Sequence, residues 1–173
     1  MIRRERREDE AEISRVIDAA FDDRDTSAFA EQIRASPGYV PELAFVTEEE
    51  GEIVAHTMLS RVQLEGPDVD VLILTPMSVR PDRQRMGVGA RLIRDALGRA
   101  EEAGEPAVMV EGIAAYYPRF GFERASALGF ISPHPKIPDD AFMVKRLPGY
   151  SPDLAGRIVY PPAFDALGYE RPV

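Results

Sequence analysis

Residues 71–92 read Val71-Leu72-Ile73-Leu74-Thr75-Pro76-Met77-Ser78-Val79-Arg80-Pro81-Asp82-Arg83-Gln84-Arg85-Met86-Gly87-Val88-Gly89-Ala90-Arg91-Leu92. The hydrophobic period changes across this stretch. Residues 71–79 are apolar enough for a buried strand, whereas Leu92, Ile93, Ala96 and Leu97 recur at helical spacing. Gly87 and Gly89 stand where the period switches. Without a Cβ they let the backbone approach a bulky anion, and the unpaired N–H groups of the first helical turn point towards it, aided by the helix dipole. A glycine pair alone also fits a plain turn or a cap. A dinucleotide-binding reading fails because the third glycine spacing is missing and the pair follows a Gln-Arg turn, and no Gly-Lys-Ser or Gly-Lys-Thr supports a P-loop.

Working outward, residues 1–6 suit a short first strand, and Glu8 to Phe21 puts Ile13, Val16, Ile17 and Ala20 on one face of an amphipathic helix. A second helix, about Thr26 to Ala35, ends at Ser36-Pro37-Gly38. Leu43–Val46 and Ile53–Leu59 flank an acidic turn as a hairpin and, with the strand at 69–79, make an antiparallel meander. The helix from Gly87 runs to about Ala103 and leads into the strand Ala107–Glu111, a parallel strand–helix–strand unit. A short helix through Tyr116 and Tyr117 and strands near 127–131 and 141–147 follow. Arg157-Ile158-Val159-Tyr160 suits an edge strand. The expectation is a mixed α/β sheet of about 6–8 strands flanked by helices, with residues 1–147 as the domain and 148–173 as an extension packed on it.

The chain has 173 residues, a net charge of −9, 45% hydrophobic and 29% charged residues, and no cysteine. This excludes disulfides, thiolate metal sites and a cysteine nucleophile. The acidity disfavours a nucleic-acid surface, which needs clustered Lys and Arg. No run approaches the roughly 20 apolar residues that span a bilayer, and the charged start lacks a secretory apolar core. The expected setting is cytoplasmic, with no membrane partner and no metal.

Gln84-x-x-Gly87-x-Gly89 resembles the pyrophosphate-binding motif of the GNAT superfamily of N-acetyltransferases, and Tyr116-Tyr117-Pro118-Arg119-Phe120-Gly121-Phe122 resembles its Tyr-x-x-x-Gly-Phe signature. The likeness is strongest to a subgroup with paired tyrosines before Arg-Phe-Gly-Phe, a Pro-rich stretch (here Pro133–Pro138) and a Phe-Met-Val strand (Phe142-Met143-Val144). It implies the GNAT fold, with its fourth and fifth strands splayed to admit a pantetheine arm, and acetyl-coenzyme A as co-substrate. By the same resemblance the phosphates are held by main-chain groups of Met86, Gly87, Val88, Gly89 and Ala90, with Arg85 and Arg83 adding charge. Main-chain groups of Met77, Ser78 and Val79 pair with the pantetheine, and Pro76, which cannot donate to a ladder, supports irregularity there. Residues 22–25 cover part of the acceptor site.

Tyr117 takes the position of the family's general acid. A phenol hydrogen bond to sulfur stabilises the charge that develops as thiolate leaves, although tyrosines beside phenylalanines also serve simply as core; Tyr116 is read as packing. An alkylamine acceptor, with a pKa of about 10.4, must lose a proton before it can attack. Glu111 is the first candidate base and His56 the second, each with a structural alternative as a solvated strand end or a buried histidine. Gly112-Ile113-Ala114 departs from the subgroup's Gly-Asp-Pro-like turn, which leaves an acidic amine anchor in doubt. The expected function is transfer of acetyl from acetyl-coenzyme A to a primary amine, of a small molecule, peptide or protein, by direct attack in a ternary complex. The alternative is a non-catalytic acyl-coenzyme A sensor. The tail, through Tyr160-Pro161-Pro162 and Tyr169, is a candidate homodimer contact.

Overall fold

The computed structural model describes residues 1–22 and 25–168. Asp23 and Arg24, in the segment expected over the acceptor site, and Tyr169 lie outside them. Strand β1 (Ile2–Arg4) leads to helices α1 (Glu10–Phe21) and α2 (Asp25–Arg34), whose apolar residues recur on one face as the spacing predicts. Strands β2 (Tyr39–Glu49), β3 (Glu52–Leu64) and β4 (Val69–Val79) form the expected antiparallel meander. Helix α3 (Val88–Glu102) crosses to β5 (Ala107–Glu111), which runs parallel to β4.

The remaining strands are β6 (Glu123–Arg124), β7 (Phe130–Ile131), β8 (Phe142–Arg146) and β9 (Gly156–Val159). Among the described residues the sheet has nine strands, with the path β1-β2-β3-β4-β5-β8-β6. The count passes the expected one through the two-residue pieces β6 and β7. The strand expected at 127–131 is reduced to Phe130–Ile131, its start lying in a 3-10 turn over Ala125–Leu128, and the tyrosine turn is likewise 3-10, Tyr117–Phe120. Strand β9 pairs with β3 at Gln63 and Leu64, beyond the point where β2 ends against Ser60, and with β7.

The sheet separates two apolar layers. Ile13, Ile17, Phe29 and Ile33 of α1 and α2 pack with Met58, Ile73, Ala107 and Met109 on one face, joined by Ile158 and Phe164 from the tail. Leu92, Ile93, Ala96 and Leu97 of α3 pack with Leu59, Leu72, Val108 and Val110 on the other. The alternation along β5 is the period of a strand buried on both sides.

A charged cluster lies within the α1/α2 layer. Glu5 accepts hydrogen bonds from Arg34 Nε (2.8 Å) and Tyr39 Oη (2.6 Å), and its other oxygen lies 2.7 Å from His56 Nε2. Burial opposes ionisation of Glu5, but the contacts with His56, Arg34 and Tyr39 outweigh it and hold the carboxyl well below the usual range. Because Glu5 ionises more readily folded than unfolded, its stabilisation is complete above the unfolded value near 4.5 and drains away as the pH falls below it. Glu5→Gln strands the Arg34 charge in the layer. It is expected to lower the unfolding free energy at pH 7 by about 3 kcal/mol in urea titrations, with the gap to the parent narrowing in acid. A loss below about 0.5 kcal/mol, or a gap that widens in acid, would refute this reading.

Candidate active site

The contact between β4 and β5 consists of two residue pairs, Leu72↔Val108 and Ile73↔Met109. Past Ile73 the strands part. The β3 partner of β4 continues through Thr57↔Met77, His56↔Ser78 and Ala55↔Val79, but between Leu59↔Leu74 and Thr57↔Met77 strand β4 carries an extra residue. This bulge falls at Thr75 and Pro76, where proline has no N–H to give, and Thr57 Oγ1 donates to the Pro76 carbonyl at 3.0 Å. Met77, Ser78 and Val79 are therefore paired on their β3 side and diverge from β5 on the other.

At the end of this split stands the N-terminus of α3. Its first intrahelical bond runs from Arg91 N to Gly87 O, so Val88, Gly89 and Ala90 present N–H groups without helical partners. No side chain caps the helix and no acidic residue lies in its first turn. Such an end favours an anion.

The two glycines serve different ends. Gly87 needs its freedom for φ +81°, with open space where a Cβ would be. Gly89 is helical, and a Cβ there would come within 3.1 Å of Val79 Cγ2 and 3.2 Å of Met77 Cε. The second glycine thus lets α3 press against the end of β4. Gln84 braces the turn by donating from Nε2 to the Val79 carbonyl at 2.9 Å. Arg85 adopts φ 60°, and Met86 is 64% exposed at the lip of the turn. Arg83 is engaged by Glu49 at 3.1 Å and Asp82 at 2.8 Å, so its charge is already answered by carboxylates.

Tyr117 lies in the α3 layer, 8% exposed, with its ring edge-on to Tyr116 and Phe122. Burial, and secondarily the neighbouring Tyr116, push its pKa up to about 12, which keeps the phenol protonated. A Cβ on Gly112 would fall 2.3 Å from Tyr117 Cε2, so the ring occupies the space that this glycine leaves. Ile113, the departure from the subgroup's turn, is 70% exposed, and its carbonyl accepts from Tyr116 N at 2.9 Å.

Glu111 ends β5 on the opposite face, in alternation with Ala107 and Met109 of the α1/α2 layer. It accepts a hydrogen bond from Tyr160 Oη at 2.8 Å. His56, the other candidate base, is 0% exposed and held at Glu5. Burial pushes its pKa down, against the pull of Glu5. An imidazole with no exposed surface has no route for a proton to substrate or solvent, and the geometry assigns it to the buried cluster.

Sequence reasoning read Tyr116 as packing and named Gly112 only as part of the departing turn. Tyr116 Oη lies 3.7 Å from where a Cβ on Gly89 would sit, which brings a phenol to the start of α3, while Arg119 stacks on its ring at 4.5 Å. The Tyr116 and Tyr117 rings meet edge-on at 5.2 Å, so both pack in the α3 layer. Gly112 carried the signal of a glycine directly after a buried strand. Among the described residues no group of His, Asp and Glu is arranged to hold a metal, and no helix is long and apolar enough to cross a membrane.

Residues 1–125 match the acetyltransferase (GNAT) domain family. The uncharacterized N-acetyltransferase YjhQ of Escherichia coli K12 is 37% identical over 124 residues, 68% of each chain. The crystal structure of the GNAT family N-acetyltransferase YhbS from Escherichia coli, in complex with CoA, superposes with a TM-score of 0.87 at 25% identity over 99% of this chain and 95% of that one. A GNAT family acetyltransferase from Brucella melitensis in complex with acetyl-CoA gives 0.77 at 30% identity, covering 95% of this chain and 97% of that one. The chain belongs to the GNAT acetyltransferase family and is an acyltransferase.

The contact between Gly112 and Tyr117 can be checked directly. Gly112→Ala should cost about 1–3 kcal/mol by overpacking and alter the near-ultraviolet dichroism, which reports tyrosines in a chain with no tryptophan. An unaltered spectrum and stability would mean that the ring does not lie against Gly112.

Proposed function

We propose that the chain transfers acetyl from acetyl-coenzyme A to a primary amine by direct attack within a ternary complex. The observation that carries this is the split between β4 and β5 opening beside an uncapped α3 N-terminus. Bound there, the coenzyme supplies an activated acetyl thioester. Main-chain N–H groups around Met86, Gly87, Val88, Gly89 and Ala90 hold its phosphates, with Arg85 adding charge, and Gln84 keeps the turn in place. Backbone groups of Met77, Ser78 and Val79 bond the pantetheine along the diverging side of β4. Hydrogen bonds to charged groups contribute roughly 1.5–3 kcal/mol each, so three of them supply about half of a micromolar affinity.

Glu111, directly or through one water, takes a proton from the acceptor ammonium. The freed nitrogen bonds to the thioester carbon, the carbon–sulfur bond breaks, the nitrogen loses its second proton as the departing sulfur gains one, and the products are an acetamide and a thiol. Tyr117 donates its O–H towards the sulfur as that bond breaks. With a pKa near 12, outright transfer to a thiolate of about 8.5 is uphill, so the phenol acts as a hydrogen-bond donor, with full transfer only in concert with bond breaking. The layers support this division of labour, since Glu111 and Tyr117 approach the split from opposite faces of the sheet. The domain is taken as residues 1–147, with the segment from 148 packed on it.

Calorimetry with acetyl-coenzyme A is expected to give micromolar binding, weakened at least about tenfold by Gly89→Val. Absence of heat at millimolar concentration would refute the site. In a thiol-release assay with polyamines, amino acids and short peptides as acceptors, Tyr117→Phe should lower kcat by about 10- to 100-fold and leave coenzyme affinity intact. Unchanged turnover would remove Tyr117 from the chemistry, and absence of turnover on every acceptor would overturn the transferase reading.

A further inference from the structure

The segment after β8 returns to the edge of the candidate site. Strand β9 is fixed by backbone pairing to β3 and β7, and directly after it Tyr160 donates its O–H to Glu111 Oε2 at 2.8 Å, across 49 residues of chain. The Tyr160 ring packs on Phe164 with centroids 4.8 Å apart, and Phe164 meets Phe29 of α2 edge-on at 5.0 Å. A rigid row of rings therefore joins the helix covering one sheet face to the carboxylate at the end of β5.

We propose that Tyr160 is a positioning residue, which acts on acetyl transfer only through Glu111 by fixing the rotamer of its carboxylate. The inference rests on the reading of Glu111 as the base. A glutamate at a strand end loses rotamer freedom when it is ordered. If a phenol orders it before the acceptor binds, that loss does not recur at the moment of proton transfer, and small misplacements of a catalytic group have large effects on rate. The ring of Tyr160 serves packing, and its hydroxyl is the part that the packing does not require. Nothing local in sequence forces the contact, because the tail's backbone is already held by β3 and β7.

The test is a double-mutant cycle on the full chain, by thiol release from acetyl-coenzyme A with the best acceptor of the amine panel. Tyr160→Phe removes the hydroxyl and keeps the ring. It should lower kcat about tenfold, leave the KM for acetyl-coenzyme A unchanged, and leave the melting temperature within a few degrees of the parent. Glu111→Gln should lower kcat at least about a hundredfold. In the Glu111→Gln background Tyr160→Phe should add nothing beyond about twofold, because a group acting through Glu111 has lost its target. A full tenfold effect in both backgrounds, or no effect of Tyr160→Phe where Glu111→Gln disables, overturns the positioning role and leaves the base assignment standing. Parent-like turnover of Glu111→Gln removes the base and, with it, this inference.

Discussion

The parallel ladder between β4 and β5 stops after Leu72↔Val108 and Ile73↔Met109, and a row of peptide groups turned away from its neighbour inside a protein must bond to something. The bulge at Thr75 and Pro76 turns β4 aside while β3 keeps hold of it through Met77, Ser78 and Val79. Helix α3 then has to begin close to the end of that strand, and the missing Cβ of Gly89 permits it. The unbonded edge of β4 and the bare first turn of α3 are thus consequences of one local event, and together they form a slot with amide donors at its head. Under the proposed function, a single extended acyl carrier that contains a diphosphate would serve both.

The sequence displayed the parts whose cause is local. The hydrophobic period marks α1, α2, α3 and the meander because each buries one face or both on neighbours close in the chain. Gly87 is legible for the same reason, since a left-handed turn is a property of the residue itself. The width of the split was not legible, because it depends on how far two strands, paired only at Leu72↔Val108 and Ile73↔Met109, continue to pair. Nor was the separate use of Gly89, whose demand comes from Val79 and Met77 across the gap. The short helix expected through Tyr116 and Tyr117 is present as a 3-10 turn, whereas the turn over Ala125–Leu128 escaped, because no periodic pattern announces so short a piece.

His56 illustrates how side-chain chemistry misleads without its surroundings. An imidazole on a strand leading to the site is a reasonable base by pKa alone, yet its ring is consumed by Glu5, which also draws in Arg34 and Tyr39. That arrangement ties the residue after β1 to the end of α2, the start of β2 and the middle of β3. Its value is in clamping α2 to the sheet, and a carboxylate with three side-chain contacts tolerates burial that an unpaired one would not. The cluster takes up His56 through Nε2 alone, and its Nδ1 is buried without a hydrogen-bond partner.

Where Glu111 and Tyr117 fall is set by the two faces of the sheet. Position 111 falls on the α1/α2 face because β5 alternates strictly from Ala107 onward, while the turn that follows swings Tyr117 into the α3 layer through the space left by Gly112. One strand end and one glycine therefore place a carboxylate and a phenol in opposite layers of the sheet. Acetyl transfer to an amine requires a proton to leave the nucleophile and hydrogen bonding to reach the departing sulfur, at atoms on opposite sides of the reacting carbon. In the proposed reaction a sheet opened between two of its strands would serve both needs, and the tail reaches the half-buried end of β5 through Tyr160.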